Sequence, residues 1–414
     1  MYKLKGYVVF LFCLTLILIS VYSCKKQSLE EKAIKIHNHA FTIDTHVDTP
    51  YHLLDSSFDI GVYHKFENGR SRVDFPRMKA GGLDGIFFAA FTSQRQRTSE
   101  NILAARSKAN ELIDSTYAAC KRYENLAEIA ISVEDGYRIE KLGKRAIYIG
   151  MENGFPLGKD LSEVEAFYNK GVRYITLCHT SNNDICDSST DEKGAEFNGL
   201  SSFGEQVVRE MNRLGILVDV SHISDSSFYD VLNITKTPVI ASHSCSRAIC
   251  DNPRNLSDDM LLALAKNGGV VQMCILDDYV KAPDTTTLRY HKEKELRNRY
   301  RKAAQISKEE EVKLWAEWRQ LQLDYPKEKP TVADAIDHID HMVKLIGIDH
   351  VGIGTDFDGG GGLKDCEDAS QMKNITMELL RRNYSEEDIV KIWGGNFMRV
   401  FSQVEKYVTE KKDL

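Results

Sequence analysis

The sequence predicts an α/β protein, a (β/α)8 TIM barrel, on three observations. Short apolar runs alternate with helical patterns along the chain, as the units of a parallel sheet require. These runs are apolar along most of their length, which suits strands covered on both faces. Most of them close on His, Asp or Glu: 42–48 (TIDTHVD) on His46 and Asp48, 146–153 (AIYIGMEN) on Glu152, 174–180 (YITLCHT) on His179, 216–222 (ILVDVSH) on His222, 239–244 (VIASHS) on His243, and 351–359 (VGIGTDFDG) on Asp356. Groups more than three hundred positions apart converge only if the strands are parallel and bundled, with their polar ends on the carboxyl-terminal face of one barrel.

From the N-terminus, Lys3 and Lys5 precede an apolar run over residues 7–22. That is shorter than the roughly 20 residues of a membrane-spanning helix and reads as an export signal. The run ends in Val21-Tyr22-Ser23-Cys24 before Lys25-Lys26-Gln27-Ser28, which resembles a bacterial lipobox with Cys24 as the lipidated residue. The expected organisation is a lipoprotein-type signal over 1–24, a short tether over 25–38 and one barrel domain over 39–414. Such a chain would be exported and held by an N-terminal lipid in a bacterial cell envelope, on the periplasmic or outer-surface side.

Two further runs, 85–92 (GIFFAAFT) and 269–275 (GVVQMCI), bring the strand count to eight. Helical patterns fall between strands at 98–122, 161–170, 204–214, 225–232, 257–266, 332–346 and 369–382. Residues 384–401 suit a closing helix, with Gly394-Gly395-Asn396-Phe397 as a tight turn. The stretch 284–329 is highly charged, carries Trp315 and Trp318, and fits a helical insertion after the seventh strand. Loops after barrel strands sit on the active-site face, so it could cover the site or join two copies. A solvated helical pair without a catalytic role is the expectation.

Composition sets the outer bounds. With 414 residues, 42% hydrophobic and 28% charged, the chain can bury one barrel-sized core plus insertions. A net charge of −7, without arginine-rich or RNA-binding patterns, disfavours nucleic acid as a partner. Setting aside Cys13 and Cys24, seven of the nine cysteines remain, with no CxxC pair. That argues against a disulfide framework or a cysteine zinc knuckle and for buried thiols.

The polar strand ends carry the chemistry. His46 and Asp48 share one side of a strand because side chains alternate, so the pair can chelate one metal ion. Glu152 ends an apolar strand, where an unpaired carboxylate is costly to bury, and it can bridge two ions. His222 and His243 would complete the second. Imidazole and carboxylate without thiolate suit two zinc ions per chain, with manganese or cobalt as alternatives. His179 could be a further ligand; since each ion already has three, it is assigned to the substrate, hydrogen-bonding the developing oxyanion. Asp356 is placed to move a proton from metal-bound water to a leaving amine, with Asp358 as its rival.

The strings DTHVDTP, IGMENG, YITLCHTSNN, LGILVDVSHIS, PVIASHSCSRAICDNPRNLSDD, VGIGTDFDG and GGNFMRVF, spanning about His39 to Phe401, resemble the renal or membrane dipeptidases, which are dizinc (β/α)8 hydrolases. The resemblance implies His46, Asp48 and Glu152 on one zinc and Glu152, His222 and His243 on the other. It implies substrate contacts from His179 and Asp356, the latter as acid–base and amino-terminus contact. It also brings forward Arg254, in Asn252-Pro253-Arg254-Asn255, as the guanidinium that binds the substrate's free carboxylate.

The implied reaction is zinc-dependent hydrolysis of a dipeptide with a free C-terminal carboxylate, by a hydroxide shared between two metal ions. The alternative is another dinuclear amidohydrolase acting on small amides, lactams or lactones. Many such enzymes bridge their ions with a carboxylated lysine on the fourth strand; here that strand ends in His179, and Glu152 on the third is free to bridge. The mammalian members' glycolipid anchor and disulfide-linked dimer do not carry over, so a homodimer is left open.

Overall fold

In the computed structural model residues 28–65, 71–302 and 308–412 are described, and the signal segment with Cys24 lies outside them. The strands are β1 (Ile43–Val47), β2 (Gly85–Phe91), β3 (Ala127–Ile129), β4 (Arg145–Glu152), β5 (Val172–Thr176), β6 (Leu217–Asp219), β7 (Ile240–Ser244), β8 (Val270–Met273) and β9 (Val351–Ile353). Eight of them follow one another in the order β1-β2-β4-β5-β6-β7-β8-β9, and every pairing is parallel. The ring closes where Val47 bridges Phe357, through Asp48 N donating to the Phe357 carbonyl (2.9 Å) and Asp356 N to the His46 carbonyl (3.0 Å). The predicted TIM barrel is therefore the observed fold.

All eight expected strands are present, and β3 is additional. It is only three residues long and pairs with the start of β4, on no helix–strand repeat that the sequence pattern reveals. Several strands stop earlier than the apolar runs suggest. His179, His222 and Asp356 lie past the ends of β5, β6 and β9, in loops, and His222 and Asp356 adopt positive φ angles of 71° and 60°.

The helices follow the expected places closely, as in Ser99–Arg122, Ser202–Leu214, Asp225–Ile234 and Val332–Ile346. Phe75–Gly81 and Val133–Lys141 are further helices, each started by a side-chain N-cap, Asp74 and Ser132. The tether expected over 25–38 is, from Leu29 on, a helix (Leu29–His39) with a Ser28/Glu31 capping box. It is tied to the barrel through His37, whose Nδ1 lies 2.7 Å from Thr376 Oγ1.

The tight turn expected at Gly394-Gly395 is instead a π turn, Lys391–Gly395, that runs on into the last helix, Asn396–Lys412. A Cβ on Gly394 would lie 2.1 Å from the Phe41 carbonyl oxygen, so the glycine serves close packing rather than chain reversal. That helix then inserts Phe397 and Phe401 among Ile43, Phe87, Tyr148 and Tyr174, sealing the amino-terminal end of the barrel. Burying aromatic side chains of this kind is worth about 3–5 kcal/mol each against alanine.

The insertion forms two helices, Leu288–Lys302 and Lys308–Asp324, after β8, the seventh barrel strand. A small apolar cluster of Leu296, Leu314 and Leu321 holds them together. The seven cysteines among the described residues are free and buried. Among the described residues no helix is long and apolar enough to cross a membrane.

Candidate metal centre

Because the barrel strands are parallel, the residues at and beyond their carboxyl ends face one another over the ring. Glu152, at the end of β4, is the hub. Its Oε2 lies 3.5 Å from His46 Nε2, while its Oε1 lies 3.0 Å from His222 Nε2, 3.5 Å from His243 Nε2 and 3.6 Å from His179 Nε2. His46 Nε2 is also 3.8 Å from Asp48 Oδ2. Three overlapping groups have ligand atoms within 4.8 Å of one another: His46, Glu152 and His243; Glu152, His179 and His222; His46, Asp48 and Asp356. The fold thus gathers all seven of these predicted side chains.

The donor set fits divalent ions on an observation of its own. His46 Nε2 and Asp48 Oδ1 are buried polar atoms without a hydrogen-bond partner. His222 Nε2 and His243 Nε2 face each other at 2.8 Å, the distance of a hydrogen bond. Yet His243 Nδ1 lies 2.8 Å from Ser242 Oγ, and that hydroxyl donates to Asp219 Oδ2 at 2.6 Å. Ser242 must then accept the Nδ1 proton, which leaves His243 Nε2 as a lone pair directed into the site. Cations held among His46, Asp48, Glu152, His222 and His243 would give these atoms partners.

Electrostatics point the same way. Burial pushes the Glu152 and Asp356 carboxyls above their usual range, and nearby Asp48 adds to both shifts. Burial lowers His46, but the Glu152 and Asp48 carboxylates outweigh it and hold its pKa well above the usual value. Burial, with Arg254 and His46 adding to it, lowers His179 to about 3 and takes His222 and His243 well below the ordinary range. Carboxylates that need positive charge therefore face, in His179, His222 and His243, imidazoles kept neutral, the state in which imidazole ligates metal.

Arg254 is buried beside the cluster, its Nη2 donating to the His243 carbonyl at 3.2 Å and its guanidinium 5.1 Å from the Tyr279 ring centre. Asp358, the rival of Asp356, is turned away. It accepts from Thr49 Oγ1 (2.8 Å) and Arg72 N (2.6 Å) and so ties the 71–73 segment to the site loop. Strand alternation does not apply there, since Asp356 and Asp358 both have positive φ, 60° and 69°. Gly359 follows, where a Cβ would meet Asp48 Oδ2 and Asp356 Oδ1 at 2.1 Å each.

Three supporting residues were not singled out from the sequence. Tyr174 Oη lies 2.8 Å from His46 Nδ1. Asp219 accepts from the backbone of Ser221 (3.1 Å) and Ser242 (2.8 Å) and from Ser242 Oγ. Tyr279 covers Arg254. Only Asp219 left a signal, as the lone charge inside the apolar run 216–222.

Fold and cluster together define the class: a metal-dependent hydrolase on a (β/α)8 barrel. The chain belongs to the membrane dipeptidase family, peptidase family M19, whose family model matches residues 30–413. It is 32% identical over 392 residues to dipeptidase 3 of Rattus norvegicus, covering 92% of this chain and 69% of that one. An uncharacterized dipeptidase of Schizosaccharomyces pombe is 30% identical over 394 residues, covering 92% and 84%. Among solved structures, a probable dipeptidase from Pseudomonas aeruginosa superposes with a TM-score of 0.81 at 28% identity, over 92% of this chain and 99% of that one. The protein is thus a metallodipeptidase, and its family implies a dimetal centre.

Proposed function

We propose that the protein hydrolyses the peptide bond of dipeptides with a free C-terminal carboxylate, on a centre of two zinc ions. The observation that carries this reading is Glu152 with one oxygen beside His46 and the other beside His222 and His243, and buried Arg254 next to them. His46 and Asp48 would hold one ion, His222 and His243 the other, and Glu152 both. Two such ions supply a water nucleophile ionised near neutral pH.

The chain's own residues do the rest. Arg254 binds the substrate carboxylate in a bidentate pair and so sets the substrate's length. His179 is the histidine of the four with the most exposed side chain, 21% against 0–4%, which suits a hydrogen bond to the carbonyl oxygen as charge develops there. Asp356, a carboxyl that burial biases towards holding a proton, binds the substrate amino group and delivers the proton to the departing amine.

The test is a panel of dipeptides, tripeptides and amidated dipeptides offered to metal-reconstituted enzyme of known metal content. An L,D-dipeptide belongs in it because a metallo peptidase from Rhodobacter sphaeroides with the same fold (TM-score 0.70, 20% identity, covering 88% of this chain and 99% of that one) is liganded with a phosphinate mimic of L-Ala-D-Ala. Cleavage of free-carboxylate dipeptides in large excess over their amides and over tripeptides, at two zinc ions per chain, supports the reading. Two ions without dipeptide cleavage redirects it to other small amides, lactams or lactones.

Export and lipid anchoring through Cys24 belong to the same proposal, supported by Lys3, Lys5, the apolar run and the lipobox-like string. Fatty-acid labelling that survives Cys24→Ser overturns the anchor.

A further inference from the structure

We infer that the charged helical insertion positions the Arg254 loop, with Lys327 and Arg297 tuning the enzyme's hold on the substrate carboxylate; this rests on the reading of Arg254 as the carboxylate clamp. The link is a short turn, Asp277–Val280, directly after β8. Its two adjacent acids meet cations from the insertion. Lys327 Nζ lies 2.6 Å from Asp278 Oδ1 and 3.4 Å from Asp277 Oδ2, and Arg297 Nη2 lies 3.4 Å from Asp278 Oδ2. Arg297 is itself fixed by Glu293 (2.7 Å) and by the Trp318 ring (5.5 Å).

The backbone of the same turn holds the clamp. The Asp278 carbonyl accepts from Asn252 Nδ2 at 3.1 Å, and the Tyr279 carbonyl from Asn255 Nδ2 at 2.9 Å, so the residues on both sides of Pro253-Arg254 hang from it. The Tyr279 ring covers the guanidinium. Leu276, at the head of the turn, bridges Gly361 in the loop beyond Asp356.

Isolated surface ion pairs contribute little. Here, however, the Asp277, Asp278 and Lys327 side chains are only 14%, 22% and 22% exposed, and Lys327 touches both carboxylates whereas Arg297 reaches only Asp278. Removing Lys327 takes away the cation that both carboxylates touch and leaves Arg297 on Asp278 alone, and the turn relieves the repulsion between the two acids by moving. Because the turn carries both asparagines and Tyr279, that movement reaches Arg254 and is felt by the carboxylate it binds.

The experiment compares Lys327→Met and Lys327→Arg with the parent enzyme, metal-loaded, on one dipeptide and its amide. Lys327→Met should raise KM for the dipeptide roughly fivefold, the scale of coupling inside one network, with kcat, metal content and melting temperature nearly unchanged. The amide should be indifferent, Lys327→Arg should restore the parent KM, and the effect should vanish in an Arg254→Ala background. An unchanged dipeptide KM in Lys327→Met, beside a raised one in Arg254→Ala, overturns the inference and leaves the clamp standing. Equal losses on dipeptide and amide also overturn it, as a merely structural role. An Arg254→Ala enzyme with parent KM for the dipeptide removes the clamp itself.

Discussion

His222 Nε2 and His243 Nε2 lie 2.8 Å apart, and both reach the same oxygen of Glu152, at 3.0 and 3.5 Å. With Ser242 fixing the Nδ1 proton of His243, its Nε2 lone pair faces into the site, and with His222 Nε2 and the Glu152 oxygen it forms a donor set suited to a cation. Glu152 has its other oxygen on the His46 side, so one carboxylate serves both halves of the cluster.

Replacing Glu152 by glutamine keeps the shape and removes the charge between the two halves. Glu152→Gln should hold fewer than two ions per chain by elemental analysis while retaining its circular dichroism spectrum. Full two-ion occupancy would sink the bridging role.

Asp356 touches the cluster without being needed to complete either ion's set of donors. Asp356→Asn should therefore keep its metal and fold yet lose about 10²–10⁴-fold in kcat on dipeptides, the range general acid–base catalysis supplies. Unimpaired turnover excludes it as the proton carrier.

The Asp219–Ser242–His243 chain acts on affinity rather than on chemistry. Ser242→Ala removes the group that fixes the His243 tautomer, and metal affinity measured by chelator competition should fall about 10–100-fold. A parent-like dissociation constant would show that the tautomer is set otherwise.

Away from the site, His37 provides a pH test. Burial lowers its pKa to about 4; its Nδ1 lies 2.7 Å from Thr376 Oγ1, which also accepts from Trp393 Nε1 at 2.7 Å. The unfolded chain binds a proton there near pH 6.5 and the folded one only near 4. Stability from this residue is therefore complete above about pH 6.5 and is lost as pH falls towards 4, by up to about 3 kcal/mol. Thermal melting of His37→Gln should show a shallower decline over that window; an identical decline would mean that other groups cause it.

The barrel was legible because its strands read as apolar runs and its candidate ligands as the polar residues that end them. His46, Asp48, Glu152, His222 and His243 could be found that way, since buried charge in an apolar run has few structural excuses. Arg254 could not, being a loop residue whose meaning depends on what the loop packs against, and it emerged only through family resemblance. Tyr174 and Tyr279 are ordinary apolar-looking residues until the fold aims them. The choice between Asp356 and Asp358 turned on positive φ angles, which overrule the alternation that holds within strands. The helix at Leu29–His39 does carry a local signal, the Ser28/Glu31 capping box, which the tether reading passed over, whereas the π turn at Gly394 is decided by tertiary packing against Phe41.

The bonds that close the ring, Asp48 to Phe357 and Asp356 to His46, are made by the backbones of three residues of the cluster and of Phe357 beside it. First and last strand meet at the site, so the clasp of the barrel and its reaction centre are one place. Ions held there would fasten chain segments synthesised far apart in time, and a nascent chain could not add Asp356 and close the ring around the centre before most of the 414 residues had been made. Hydrolytic competence then becomes a report that the circle has been completed.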